Sequence, residues 1–250
     1  MTGDIIPHSR PWIVEDDYSE VSAVLGSGMI DQGHLTEEFE KSVSNQLGVN
    51  GGVAVSSGTS ALVLALHVVG VKSETEVILP TYVCRSVMEA IQVLGARPVF
   101  CDIGTEWAMT PHNVEDCITG KTSAIIAVHI FGIAVDIQTM MDFGPPVIED
   151  SCQAIGTEVG GKSSGAVGTV GVFSFHATKC IATGEGGMMV SLNDILLEEA
   201  RTMRDFGSFG SLRIAAPFTD LQAALGLSQL KRYPDFLDRR RLIRDAYVNA

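Results

Sequence analysis

Phe173-Ser174-Phe175-His176-Ala177-Thr178-Lys179, followed by Thr183-Gly184-Glu185-Gly186-Gly187, is the stretch that decides the reading. A lysine that opens a glycine-rich turn after a short apolar strand is poorly placed for packing. Its amine can instead point into a site that the neighbouring backbone approaches closely. Upstream, a second apolar strand, Pro146-Val147-Ile148, runs straight into Glu149-Asp150. An aldehyde cofactor with a basic ring nitrogen needs both elements. The lysine forms an imine with it, and a carboxylate at the end of a buried strand keeps the ring nitrogen protonated. Lys179 and Asp150 therefore predict pyridoxal phosphate chemistry.

The phosphate of such a cofactor needs its own cradle. Ser56-Ser57-Gly58-Thr59-Ser60 follows the strand Val53-Ala54-Val55 and opens a helix over 60–69. A helix N-terminus offers unpaired N–H groups and partial positive charge, and glycine admits a phosphate closely. The hydroxyls of Ser57, Thr59 and Ser60 add donors. The same residues would also serve as a plain N-cap with no ligand. Asp150 has a similar alternative, capping the segment Ser151-Cys152-Gln153-Ala154. Glu149 is expected to pair elsewhere, at the surface. Ser174 adds a candidate phosphate contact, against the alternative of a satisfied core serine. Lys162 is a second amine, but Gly160-Gly161-Lys162-Ser163-Ser164-Gly165 reads as an exposed turn.

Composition narrows the function class. The chain has 250 residues, 46% of them hydrophobic, enough for a large core in one principal domain. Its formal net charge of -13 repels phosphate backbones and anionic membrane surfaces, which argues against nucleic acid or membrane as partner. The longest apolar stretch, 124–135, is interrupted by His129 and is too short to span a bilayer. Met1-Thr2-Gly3-Asp4 lacks the basic start and apolar core of a signal peptide. The 5 cysteines, Cys84, Cys101, Cys117, Cys152 and Cys180, form no C-x-x-C pair. They read as reduced thiols of a cytoplasmic protein, with no metal site.

Along the chain, a helix is expected over 15–25, and a second one from an N-cap at Thr36 to Gly48. Strands at 53–55, 76–79, 98–101, 124–129, 147–148 and 170–174 then alternate with helices at 60–69, 86–94 and 137–141. A further strand at 187–190 returns hairpin-like. This alternation predicts an α/β fold, a mostly parallel sheet with helices on both faces. Helices over 221–230 and 233–250 close the chain, the latter stopping without Gly, Pro or a polar tail. Arg239, Arg240, Arg241 and Arg244 read as the solvated face of that last helix. His129 reads as a core histidine with a backbone partner. His176 is placed either beside Lys179 or at the surface. Trp12 and Trp107 are read as packing or dimer contacts.

Taken together, Ser56-Ser57-Gly58-Thr59-Ser60-Ala61-Leu62, Pro80-Thr81-Tyr82, Gly95-Ala96-Arg97-Pro98-Val99-Phe100, His129-Ile130-Phe131-Gly132 and Ile148-Glu149-Asp150-Ser151-Cys152-Gln153-Ala154 resemble the DegT/DnrJ/EryC1/StrS family. The Lys179 block and Asp220-Leu221-Gln222-Ala223-Ala224-Leu225-Gly226 extend the resemblance over nearly the whole chain. It implies the large domain of a fold type I (aspartate aminotransferase-like) enzyme, acting as a homodimer. The implied reaction moves an amino group from an amino acid, glutamate by family expectation, to a keto sugar attached to a nucleotide. Position by position, it implies Lys179 as the imine-forming lysine and Asp150 on the pyridine nitrogen. Gln153 falls on the ring hydroxyl side, and Ser174, Gly58, Thr59 and Ser60 at the phosphate. The alternatives are a pyridoxal-phosphate sugar dehydratase, which the presence of lysine opposes, and an incomplete regulatory paralogue.

Three departures from the family pattern stand out. Cys84 occupies the position of the aromatic that stacks on the cofactor ring. Ala215 and Ala216 stand where an asparagine often reaches the partner subunit's phosphate. The family usually continues into a smaller C-terminal domain. Residues 1–232 are thus expected to be the arm and cofactor-binding domain, and 233–250 a helix leading toward a small domain absent from this chain.

Overall fold

Short apolar runs become strands because both of their faces find helices to pack against. All residues of β1 (Gly51–Val55), β2 (Glu76–Pro80), β5 (Val147–Asp150) and β9 (Gly187–Ser191) are buried. The computed structural model describes residues 7–205 and 213–250; Met1–Asp4, read above for a signal peptide, lies outside them. Helices α1 (Glu15–Ser27) and α2 (His34–Leu47) precede β1, and α3 (Gly58–Val68) leads to β2. Next come α4 (Arg85–Val93), β3 (Arg97–Cys101), α5 (Pro111–Glu115) and β4 (Thr122–Val128). A 3-10 turn at Ile130–Gly132 and α6 (Ile137–Met141) lead into β5. The hairpin β6 (Glu158–Val159) and β7 (Lys162–Ser163) is followed by β8 (Val170–Ser174) and β9. Helices α7 (Asp194–Arg204), α8 (Asp220–Lys231) and α9 (Tyr233–Val248) complete the described chain.

The seven main strands form one sheet in the order β1-β9-β8-β5-β4-β2-β3. Strand β9 runs antiparallel to both of its neighbours, β8 and β1. The pairs β2–β3, β2–β4, β4–β5 and β5–β8 are parallel. The exception follows from connectivity. A parallel return needs a crossover helix, whereas β8 and β9 are joined by a turn that carries Lys179. The C-terminal ends of β1, β5 and β8 consequently open at the same edge, beside the start of α3.

Helices cover both faces. On one, Leu62, Leu66, Val87, Ile91, Leu197 and Met203 close over the sheet. On the other, Phe39 lies edge-on to Phe175 (5.0 Å) and stacked on Phe218 (5.4 Å). A separate group of Val114, Ile137, Met140 and Ile125 fills the far end.

Two expectations are corrected. The N-cap of α2 is Gly33, not Thr36, and no side chain of its own caps it. Asp220, buried at the first turn of α8, accepts from Gly33 N (2.9 Å), Thr36 N (2.9 Å) and Thr36 Oγ1 (2.9 Å). Thr36 is thereby drawn inside the helix. Glu149 is wholly buried instead of lying at the surface. Lys162 belongs to the β6–β7 hairpin, whose turn Gly160-Gly161 has positive φ at both residues (58° and 79°); its side chain is exposed. Helix α7 is missing from the expectations, although Asn193, accepting from Ile195 N at 2.9 Å, supplies an N-cap.

Candidate functional site

Strand β8 ends at Ser174, and the chain leaves the sheet in an excursion that returns at Gly187. Phe175 N donates to Gly186 O (2.8 Å) and Ala177 N to Gly184 O (2.9 Å), so its base continues the β8–β9 ladder. Gly184 takes φ 86°, a conformation that favours glycine. Lys179 sits near the tip, where its N–H donates to His176 O at 2.8 Å. The turn is therefore a rigid mount for an amine.

A cavity of about 320 Å³ opens beneath this turn. It gathers Gly58, Thr59, Cys84, Asp150, Gln153, Ser174 and Lys179, seven of the eight residues singled out from the sequence. Ser60 is the one left out. Its Oγ lies 2.9 Å from Ser57 Oγ and its N–H donates to Ser57 Oγ at 3.0 Å, so it completes the helix cap while Ser57 lines the cavity. Cys152, His176 and Glu185 also line it. No sequence signal pointed to Cys152; burial pushes its thiol well up, with the negative charge of Asp150 adding to the effect. His176 Nδ1 accepts from Thr178 N at 3.3 Å, which leaves Nε2 to face Glu185 at 3.6 Å.

Asp150 is 5% exposed at the last position of β5. Its Oδ1 accepts from Cys152 N at 3.0 Å, and its carbonyl from His129 N at 3.1 Å. The Gln153 Oε1 accepts from Phe131 N (3.2 Å), which orients the amide. Glu149, its neighbour on the strand, points away into a closed nest. It accepts from His129 Nε2 (3.0 Å), Gly165 N (3.0 Å), Val167 N (2.7 Å) and Gly168 N (2.6 Å). His129 is thus a core histidine with a backbone partner as expected, Val135 N to Nδ1 at 3.2 Å, and an unforeseen carboxylate besides.

The cavity fits pyridoxal phosphate on the strength of its own geometry. A Cβ at Gly58 would stand 3.0 Å from Ser174 Cβ and 3.3 Å from Cys152 Sγ, so glycine keeps open the space at the head of α3. That space is faced by the helix N-terminus and by the Ser57, Thr59 and Ser174 side chains, a set of donors suited to a phosphate. The same cavity is also lined by a carboxylate, Asp150, and an amine, Lys179. Cys84, in place of a stacking aromatic, is exposed, with its Sγ 3.1 Å from Ser86 Oγ.

Comparison with known proteins agrees with this geometry. The DegT/DnrJ/EryC1/StrS aminotransferase family profile matches residues 11–250. The GDP-perosamine synthase of Vibrio cholerae is 35% identical over 256 residues, covering 97% of this chain and 70% of that protein. The PLP-form of Spr1654 from Streptococcus pneumoniae superposes with a TM-score of 0.92 at 31% identity, over 98% of this chain and 71% of that one. An aminotransferase from Psychrobacter cryohalolentis gives 0.86 at 28% identity, over 90% and 64%. The chain thus spans between 64% and 71% of the length of these relatives. It belongs to the DegT/DnrJ/EryC1/StrS aminotransferase family, and its cofactor is pyridoxal phosphate.

Proposed function

We propose that the chain carries the cofactor-binding machinery of a sugar aminotransferase, which moves an amino group from glutamate to a keto sugar linked to a nucleotide. The observation that supports this most is the meeting of Lys179, Asp150 and the head of α3 around one cavity. The Vibrio cholerae relative, a GDP-perosamine synthase, points to the sugar. Bound pyridoxal phosphate supplies an electron sink for the carbon next to the transferred nitrogen.

The chain's own residues do the rest. Asp150 holds a proton on the ring nitrogen. Its burial makes an unpaired negative charge costly, so a cationic N–H is the partner that the carboxylate lacks. Gln153, its carbonyl engaged by Phe131 N, keeps Nε2 free to donate on the ring hydroxyl side. Gly58 N–H, Thr59 and Ser174 hold the phosphate at the positive end of α3, while Ser60 braces Ser57 from behind. Lys179 is the amine that would hold the cofactor's aldehyde, as an imine with loss of water, and its Nζ would be the base available to move a proton during the transfer. Cys84, which lines the cavity, would supply the side chain that packs on the ring.

In this reading residues 1–232 are the arm and cofactor-binding unit, and α9 leads out of it. The working form is a homodimer in the cytoplasm. Tyr82, Trp107 and Phe131 support the dimer: all three are about half exposed or more, and they cluster at the ends of β2, β3 and β4, with Tyr82 5.4 Å from Trp107 and 6.3 Å from Phe131. Among the described residues no helix is long and apolar enough to cross a membrane.

The test is an absorbance spectrum after loading with pyridoxal phosphate and dialysis. The parent gains a band near the visible edge that shifts on adding glutamate, and Lys179→Ala lacks it. A band of equal intensity in Lys179→Ala would remove the lysine from its role.

A further inference from the structure

We propose that Cys101 and Cys117 form a reversible disulfide, a modification site apart from the cofactor cavity that staples the loop carrying Trp107. Cys101 is the last residue of β3 and wholly buried. Cys117 lies just past the end of α5 and is half-buried. Both belong to the apolar group of Val114, Ile125, Ile137 and Met140 at the far end of the sheet. The other thiols lie elsewhere: Cys84 and Cys152 line the cofactor cavity, and Cys180 packs with the group around Phe39.

The backbone brings the two thiols together. Asn113, in the first turn of α5, donates through Nδ2 to Asp102 O at 2.9 Å, which ties that helix to the residue after Cys101. Cys117 N donates to Val114 O at 3.0 Å, so the chain keeps turning beyond the helix. Cys117 Sγ then stands 4.0 Å from Phe100 O, the carbonyl of the peptide that leads into Cys101. The thiols of Cys101 and Cys117 are close enough to share a hydrogen bond. The loop between them is already folded back on itself: Ile103 pairs with Met109, and Gly104 N donates to Ala108 O at 2.9 Å. A bond between the sulfurs closes a short loop whose ends the fold already holds.

The two thiols differ in what they can do. Burial first, and then the charge of a Cys117 thiolate beside it, push Cys101 up to about 12, so it stays protonated at neutral pH. Cys117, which solvent reaches, is the one that attacks. Its thiolate displaces one thiolate from a low-molecular-weight disulfide and keeps the other half as a mixed disulfide. Cys117 then carries no charge, which removes one of the effects opposing ionisation of Cys101. The Cys101 thiolate attacks the Cys117 sulfur and expels the second small thiolate. Two protein thiols are oxidised, the small disulfide is reduced to two thiols, and those thiols take up the protons that Cys101 and Cys117 lose. Where thiols are otherwise kept reduced, such disulfides are transient and redox-sensing. The stapled loop carries Trp107, 5.4 Å from Tyr82, on the segment that leads into Cys84 of the cofactor cavity.

The probe is hydroxyethyl disulfide, which is uncharged and so is not repelled by Asp102 and Asp116 beside the pair. The folded chain, loaded with pyridoxal phosphate, is incubated with it, quenched with acid and digested after acidic residues. Cleavage at Glu106 and Glu115 separates the two cysteines, so the bond appears in the mass spectrum as a peptide pair that dithiothreitol releases. The expected result is this cross-link, the loss of two of the 5 free thiols, and a melting midpoint raised by at least about 3 °C. Cys117→Ala should abolish both the cross-link and the rise. Cys101→Val, which keeps the core apolar, should stop the reaction at the mixed disulfide on Cys117. The proposal is overturned if no Cys101–Cys117 cross-link forms, if Cys117 pairs with Cys84, Cys152 or Cys180 instead, or if the cross-linked chain melts no higher than the reduced one. Formation of the link as readily in the urea-unfolded chain as in the folded one would also overturn it, since the fold would then not be what brings the thiols together.

Discussion

Replacing Glu149 by glutamine should destabilise the fold far more than a change of one atom suggests. The carboxylate receives four N–H groups, two on each oxygen: His129 Nε2 and Gly165 N on Oε2, Val167 N and Gly168 N on Oε1. Val135 N donates to Nδ1 of His129, so the ring proton sits on Nε2 and points at the carboxylate. A glutamine amide offers one oxygen and one NH₂, so in either orientation two N–H donors face an NH₂. Rotating the histidine proton to Nδ1 relieves one contact and creates another at Val135. Each unmet buried donor costs roughly 1–3 kcal/mol, giving a loss of about 2–6 kcal/mol. Against a typical domain stability of about 5–15 kcal/mol this is large.

The pH dependence supplies a second check. Burial opposes the charge on Glu149, but the bonds from His129, Gly168, Gly165 and Val167 outweigh it and hold its carboxyl below the usual carboxylate range. A carboxyl depressed in the fold contributes stability that is fully present above its unfolded value of about 4.3 and is lost as pH falls through the folded value. The gap between parent and Glu149→Gln is therefore widest near neutrality and narrows in acid. Thermal melts at pH 7 and along a descending pH series measure both, with an expected fall of at least about 4 °C at neutral pH. A midpoint within about 1 °C of the parent at pH 7 would show that the four donors have other acceptors.

Two further substitutions probe the frame of the site. A Cβ on Gly187 would land on the Ser57 carbonyl and the Gly58 nitrogen, at the head of α3. Gly187→Ala should therefore raise the pyridoxal phosphate dissociation constant at least about tenfold. Gly120→Ala, with open space around its Cβ, should leave it unchanged in the same absorbance titration. Asp220→Ala removes the cap that α2 receives from α8 and should cost roughly 2–4 kcal/mol in urea unfolding. Asp220→Asn, which keeps one acceptor, should recover part of that loss; equal losses would refute the capping role.

What the sequence made legible is what depends on the chain's immediate neighbourhood. Strands, most helices and the edge at which the site opens follow from apolar runs meeting polar residues, and Lys179 and Asp150 lie at two such junctions. Where a contact depends on a distant segment, the sequence was silent. The cap of α2 comes from Asp220, whose hydrogen bond to Thr36 N joins residues 184 positions apart. Ser57 and Ser60 could exchange roles on composition alone. Only the geometry at the start of α3 sends one into the cavity and the other behind it.

Glu149 and Asp150 show why the limit is physical. Adjacent residues on a strand point to opposite faces, so one sequence pattern offers two carboxylates, of which one faces the cofactor cavity. Strand propensity does not distinguish them, and both are buried in the fold. What separates them is the loop Gly165–Gly168, which brings three backbone N–H groups to Glu149 and leaves none of them for Asp150. The loop can come this close because its glycines lack side chains: a Cβ at Gly168 would stand 2.8 Å from Val147 O, and one at Gly165 would stand 2.8 Å from the Phe173 ring. Glu149 is thus neutralised by structure, whereas Asp150 keeps a lone pair for a ligand. The carboxylate with fewer internal partners is the one available for chemistry, and that difference exists only after the chain has folded.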